Sequence, residues 1–207
     1  QVALFASVPN VLAVATKLPV KTVPELVAHA QQHRQRLFMG SAGNGSVNHL
    51  VGELFQHRTG VKFEHVPYKG AGSAAMDLMT GQIDLMFVNL PNVLSYIKSG
   101  KLRALAVASG QRSSALPGIP TMAEAGVADF VVDSWSGVLA PAGTPQAVID
   151  KLSQAINQVA QDPATIQSLA QQGAVPMAGT SAEYAKLVQF ETQRWTDLLR
   201  QAKVALD

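Results

Sequence analysis

From Val11 to Ala108, short aliphatic runs alternate with amphipathic windows, and this alternation constrains the fold more than any other feature of the chain. Strand periodicity followed repeatedly by helix periodicity is what β-α units produce, so an α/β fold with a mostly parallel sheet is expected. Val11 to Val14 reads as a strand. Thr22-Val23-Pro24-Glu25 then opens a helix, with capping-box spacing and a proline in its first turn, running to about Arg36. Leu37 to Gly40, Lys62 to Val66, Ile83 to Val88 and Leu102 to Ala108 read as further strands. Between them Val47, Leu50, Val51, Leu54 and Phe55 recur at helical spacing, Gly72 to Thr80 forms a short helix, and Pro91 and Gly100 bracket another. Gln1 to Thr16 is uncharged but has no basic start of a leader peptide. Pro9-Asn10 interrupts it, so it reads as an extended strand and a connection.

After Ser109 the pattern changes. A Ser-, Pro- and Gly-rich stretch leads to a last extended run, Phe130 to Leu139, and then to three helices. Val148, Ile149, Leu152, Ile156 and Val159 line the first, Ile166 and Leu169 the second. Thr180-Ser181-Ala182-Glu183 caps the third, which carries Tyr184, Leu187, Val188, Trp195, Leu198 and Leu199 on one stripe. Three helices without strands of their own need a sheet to cover, and the first unit already has helices on its faces. Residues 9–133 are therefore expected to form one complete α/β lobe. Residues 1–8 with 134–207 are expected to form the C-terminal portion of another, whose N-terminal part lies outside this chain.

Composition narrows the function. Lys and Arg total 16 against 14 Asp and Glu, a net charge of +2 with no basic tract, which argues against nucleic acid as a partner. The absence of cysteine excludes disulfides and thiol nucleophiles. No run of about 18 apolar residues reads as a membrane span.

The most informative local feature is Ser41-Ala42-Gly43-Asn44-Gly45-Ser46, which joins a strand to a helix. Glycines permit a tight turn with positive φ, Ser46 can cap the helix, and N–H groups at a helix start attract anions. The loop lacks the Lys-Ser/Thr of a phosphate loop and the spacing of a dinucleotide loop, so a small carboxylate fits better than a nucleotide. A plain glycine-rich turn is the competing account. Tyr68, Lys69 and Asn89 lie on two further strand-to-helix loops, which in an open α/β sheet gather at the carboxyl ends of the strands. Trp135 is either a core aromatic or a wall of a cleft. Catalytic constellations are weak, with no Gly-x-Ser-x-Gly elbow and no paired carboxylates, so no catalytic residue is assigned. Glu25, His29 and His33 share a helix face but read as a solvated face, and neither a metal nor a cofactor is assigned. His49 and Glu53, at i and i+4, read as an ordinary surface pair. With only 6% aromatic residues, a sugar site of stacked rings is disfavoured.

Taken in order along the chain, the motifs resemble one family. These are Ser41 to Ser46 followed by His49-Leu50, then His65-Val66-Pro67-Tyr68-Lys69-Gly70, Gly81-Gln82-Ile83-Asp84, Gly100 to Val107, Leu116 to Gly126 and Ala140-Pro141-Ala142-Gly143-Thr144-Pro145. They are similar to the successive signatures of the Bug (TctC-like) extracytoplasmic solute receptors. The resemblance implies a two-lobed periplasmic binding protein of the type II fold with a ligand cleft between its lobes. It further implies capture of a small organic acid, a mono- or dicarboxylate, and its delivery to the membrane components of a tripartite tricarboxylate transporter. Such a receptor acts in the periplasm, follows a signal peptide encoded upstream, and is expected to be a monomer. Carried over by residue, the loop Ser41, Ala42, Gly43, Asn44, Gly45 and Ser46 matches the anion-holding loop, and Tyr68 and Asn89 match cleft-facing positions. Trp135 joins them as a candidate wall. The effector domain of a regulator and an α/β hydrolytic enzyme of similar layout are the alternatives.

Overall fold

The structure, a computed structural model, describes residues 1–32 and 37–202. Strand β1 (Ala3–Ala15) is followed by α1 (Val23–Gln32), β2 (Phe38–Ser41), α2 (Val47–Thr59), β3 (Glu64–Pro67), α3 (Ala71–Thr80) and β4 (Leu85–Asn89). A 3-10 turn over Leu90–Asn92 leads into α4 (Leu94–Lys98) and β5 (Leu102–Val107). The chain closes with β6 (Asp133–Val138), α5 (Gln146–Gln161), α6 (Pro163–Gln171), the two-residue β7 (Val175–Pro176) and α7 (Ser181–Ala202). The part of the first helix expected beyond residue 32 lies outside the described residues.

The main sheet has the order β3-β2-β4-β1-β5. β2 is parallel to β3 and β4, but β1 is antiparallel to both β4 and β5, which corrects the expectation of a mostly parallel sheet. The first half of β1 pairs with β6 and β7, so the strand enters the main sheet from that side and opposes its neighbours. Aliphatic composition reports burial on both faces and carries no strand direction.

A second correction concerns Pro9-Asn10, which does not break the strand. β1 runs unbroken for 13 residues. Pro9, opposite Asp133, is the last residue paired with β6, and Asn10, opposite Asn89, is the first paired with β4. Proline thus sits at the changeover between ladders, where a missing N–H disturbs the pairing least. Asn10 holds the changeover with its amide, which donates to the Val132 carbonyl at 3.0 Å and to Ser134 Oγ at 3.2 Å.

Alternate residues of β1 and β4 enter opposite cores. Leu12, Val14, Leu85 and Phe87 pack on the α2 side, while Val11, Ala13, Met86 and Val88 pack with Ala74 and Leu78 of α3. The α2 side centres on Phe55, whose ring meets Phe87 at 5.5 Å, Phe63 at 6.0 Å and Phe130 at 6.1 Å. α5 contributes Ile149 to a small cluster with Val2 and Ala3 at the start of the chain. α7 does not stay on one side. Tyr184 near its start meets Trp135 of β6, while Leu198 and Trp195 near its end join the Phe55 core. Val138, Leu139, Val148, Leu152, Val159 and Ile166, on β6, just after it, and on α5 and α6, are 40 to 65% exposed, so this part carries uncovered apolar surface.

Replacing the fully buried Phe55 with alanine is expected to cost about 3–5 kcal/mol, because the ring loses both its transfer energy and its three aromatic neighbours. In the full-length protein a lower urea midpoint with an unchanged slope reads this loss. An unchanged midpoint would mean that the ring cluster does not hold the main sheet to α2.

Candidate functional site

The loop between β2 and α2 is a closed hydrogen-bonded turn. Gly43 and Gly45 have φ of 130° and 69°, values that favour glycine. A Cβ on Gly43 would also come within 3.3 Å of the Tyr68 carbonyl oxygen. Ser46 is the N-cap, accepting from the His49 N–H at 3.4 Å and donating its hydroxyl to the Gly43 carbonyl at 2.7 Å. The Ser46 N–H also donates to the Gly43 carbonyl, and the Gly43 N–H donates to Ser41 Oγ at 3.1 Å. Amides inside the turn are therefore largely engaged with the turn itself. Helix geometry leaves the Val47 and Asn48 N–H groups, in the first turn of α2, without an intrahelical acceptor, and these are the groups suited to an anion.

Two histidines stand behind this turn. The His49 and His65 rings are stacked, with centroids 3.8 Å apart and planes 3° from parallel. His49 Nδ1 accepts from the Gly45 N–H at 3.1 Å, and His65 Nε2 lies 2.7 Å from Ser41 Oγ. This corrects the reading of His49 and Glu53 as a surface pair. His49 is only 6% exposed, and its Nε2 lies 3.7 Å from Glu53 Oε1. Burial lowers the pKa of His49 against the opposing pull of Glu53. Burial, together with the neighbouring His49, pushes His65 down to about 4. Sequence spacing along α2 could suggest His49 with Glu53, but the partner that matters arrives from β3. The parallel β2-β3 register, with Met39 opposite His65, places that residue beside the loop.

The remaining candidates fall on the same end of the sheet, because β2, β3 and β4 run in one direction. Tyr68 donates its backbone N–H to the Ser41 carbonyl, while its hydroxyl donates to Asp77 Oδ2 at 2.7 Å. Burial and that carboxylate raise the phenol to about 12. Asn89 accepts from Ser134 Oγ at 2.8 Å and so belongs to the Asn10 changeover. Ala42 is half-buried, Asn44 is exposed at the loop tip, and Lys69 is exposed. Trp135 meets Tyr184 edge-on, with centroids 5.7 Å apart, and lines a cavity of about 340 Å³. Val47, Asp133, Ser134, Glu191 and Trp195 line the same cavity. The start of α2 and the β6 strand therefore face one space. Among the described residues no cluster of three His, Asp or Glu side chains is arranged to hold a metal. His33 of the first helix face lies outside the described residues.

Two oxygens at the changeover, Asn10 Oδ1 and Asp133 Oδ1, are buried without a hydrogen-bond partner. Burial raises the Asp133 carboxyl to about 6.

A profile of the family described as TctC, tripartite tricarboxylate transporter family receptor, matches residues 1–204. Protein BugT of Bordetella pertussis is 38% identical over 205 residues, which cover 99% of this chain and 63% of that protein. The R. palustris protein Rpa4515, solved with adipate, has a TM-score of 0.93 at 36% identity, covering 99% of this chain and 68% of that one. MatC from Rhodopseudomonas palustris, solved with bound malate, has a TM-score of 0.87 at 31% identity, covering 96% and 68%. The chain thus spans less than two thirds of the length of BugT.

The raised Asp133 carboxyl fixes a pH dependence. The folded state holds this proton more tightly than the unfolded chain, whose ordinary value is 3.8, so the stability it contributes is complete below that value and is lost as pH rises through about 6. Asp133→Asn, which cannot ionise, should gain on the order of 1–2 kcal/mol over the wild type at pH 8 and little at pH 4. Urea unfolding across that range measures it. Parallel curves for the two proteins would show an ordinary carboxylate.

Proposed function

The chain belongs to the tripartite tricarboxylate transporter receptor family, the Bug or TctC-like receptors, and from that premise we infer that it is the carboxylate-holding part of an extracytoplasmic solute receptor. Its mixed α/β fold matches the solved structures of that family. The receptor captures a small organic acid, a mono- or dicarboxylate, unchanged and delivers it in the periplasm to the membrane components of a tripartite transporter. It acts as a monomer. Adipate and malate, bound in the two relatives, set the ligand class to try first.

The observation that carries this reading is the glycine turn that ends in the open first turn of α2. An anion placed there meets Val47 and Asn48 amides already fixed by the fold, which lose no side-chain freedom on binding. We assign Ser41 to Ser46 as the turn that fixes them, Tyr68 and Asn89 as its flanks, and Trp135 as the wall across the cavity. Residues 9–133 form the lobe that carries the turn. Residues 1–8 and 134–207 form part of a second lobe, from which the end of α7 reaches back to the Phe55 core, a reading supported by the uncovered apolar residues on β6, α5 and α6.

One feature favours a hydrolytic reading, the 2.7 Å pair of Ser41 Oγ and His65 Nε2. Ser41 is fully buried, and its hydroxyl also accepts from the Gly43 N–H, so an acyl group has no approach to it. The pair therefore supports a structural role.

Calorimetry of the full-length protein with adipate, malate and a neutral sugar tests the reading. Binding of at least one acid and no binding of the sugar is expected. Gly43→Val should weaken that binding roughly tenfold or more, through its positive φ and the Tyr68 carbonyl, while Lys69→Met should change it little. Sugar binding without acid binding would contradict the reading. So would loss of binding in Lys69→Met with Gly43→Val intact.

A further inference from the structure

We propose that His49 and His65 are positioning residues of the anion turn, which keeps its binding shape only while His49 Nδ1 carries no proton, so that mild acid weakens carboxylate capture. The proposal rests on the reading of the turn as the anion site.

Each histidine is wired to one of the two glycines with positive φ. His49 Nδ1 accepts the Gly45 N–H at 3.1 Å, so a proton on that nitrogen would set two hydrogens against each other and break the bond. His65 Nε2 meets Ser41 Oγ, and that oxygen accepts the Gly43 N–H. The turn, its cap Ser46 and the exit of the Val47 and Asn48 amides therefore inherit their placement from two imidazoles. Neutral His49 must carry its hydrogen on Nε2, the nitrogen that faces Glu53.

The stacking links the two rings. Planes 3° from parallel at 3.8 Å suit two neutral imidazoles, whereas a charge on one falls on the face of the other in a largely buried place. The groups that act on the pair can be named from each element. α2 supplies Glu53, which favours a proton on His49, and His49 in turn opposes a proton on His65 of β3. β2 brings no titratable side chain, and Glu64, the neighbour of His65 on β3, is exposed. On α7, which packs on α2, Glu191 is engaged by Arg194 and by the Trp195 indole. Burial outweighs Glu53, so both rings are neutral at pH 7. The ordinary histidine value is 6.5, and burial behind the turn lowers that of His49. The turn is therefore complete above pH 6.5 and is lost as pH falls through the lowered value of His49.

Two variants separate positioning from general support. His49→Asn places an oxygen acceptor near the Nδ1 position and cannot titrate, while His49→Leu fills the space without an acceptor. Affinity for adipate or malate, measured by calorimetry on the full-length protein from pH 8 to 5, should fall in the wild type by up to about tenfold per pH unit below the His49 titration. His49→Asn should keep only the pH dependence that comes from the acid itself and from Asp133, which titrates near 6 in the same cavity, and His49→Leu should bind weakly at every pH. In the ligand-free protein, the Gly45 amide resonance should move with the same midpoint as the His49 ring. Equal acid dependence in the wild type and His49→Asn, or a Gly45 amide indifferent to His49, overturns the proposal. If the Gly45 amide follows His49 but neither acid binds at any pH, the wiring of the turn stands and the carboxylate-receptor reading fails instead.

Discussion

β1 is shared between two ladders, and most of the structure depends on that. Its first half supplies the partner for β6 and β7, and its second half fills the gap between β4 and β5. Without it the main sheet would be split between β4 and β5, leaving two rows of backbone groups without partners in the core. The changeover falls at Pro9-Asn10, where proline ends one ladder and the Asn10 amide ties Val132 and Ser134 to the start of the other. Ser134 in turn holds Asn89 at the end of β4. The crossing and the end of β4 are thus one hydrogen-bonded unit.

On our proposal the turn after β2 lets a chain with few charges hold an anion. A flexible lysine must be ordered and partly stripped of water to bind a carboxylate. The amides at the start of α2 are set in place when the helix folds, by a turn whose two positive-φ glycines are each backed through a histidine. The exposed Lys69 adds charge nearby without fixing geometry. Burial keeps both histidines neutral, and on our proposal a proton on His49 disturbs the turn.

Much of this was legible in the residues. The helices after Ser46 and Thr180 announced themselves through their caps, and the Thr180-Glu183 box forms as the spacing implied, with Glu183 accepting the Thr180 N–H at 2.7 Å. The glycine turn was visible because only glycine suits its backbone. What stayed hidden depends on contacts between distant segments. The reversed direction of β1 follows from its pairing with β6 more than a hundred residues away, and aliphatic runs look alike in either direction. β7, two residues long, is too short for any periodicity. His65 lies 24 residues beyond Ser41 in the chain, and only the β2-β3 register brings the two together.

The central claim is that a carboxylate is held by backbone amides at the start of α2. Backbone amide resonances of the full-length protein, followed while adipate or malate is added at pH 7.5, test it most directly. The account predicts that the Val47 and Asn48 amides shift most and saturate with the bound fraction. Saturable binding that leaves these two amides unmoved, with the large shifts elsewhere, would contradict it.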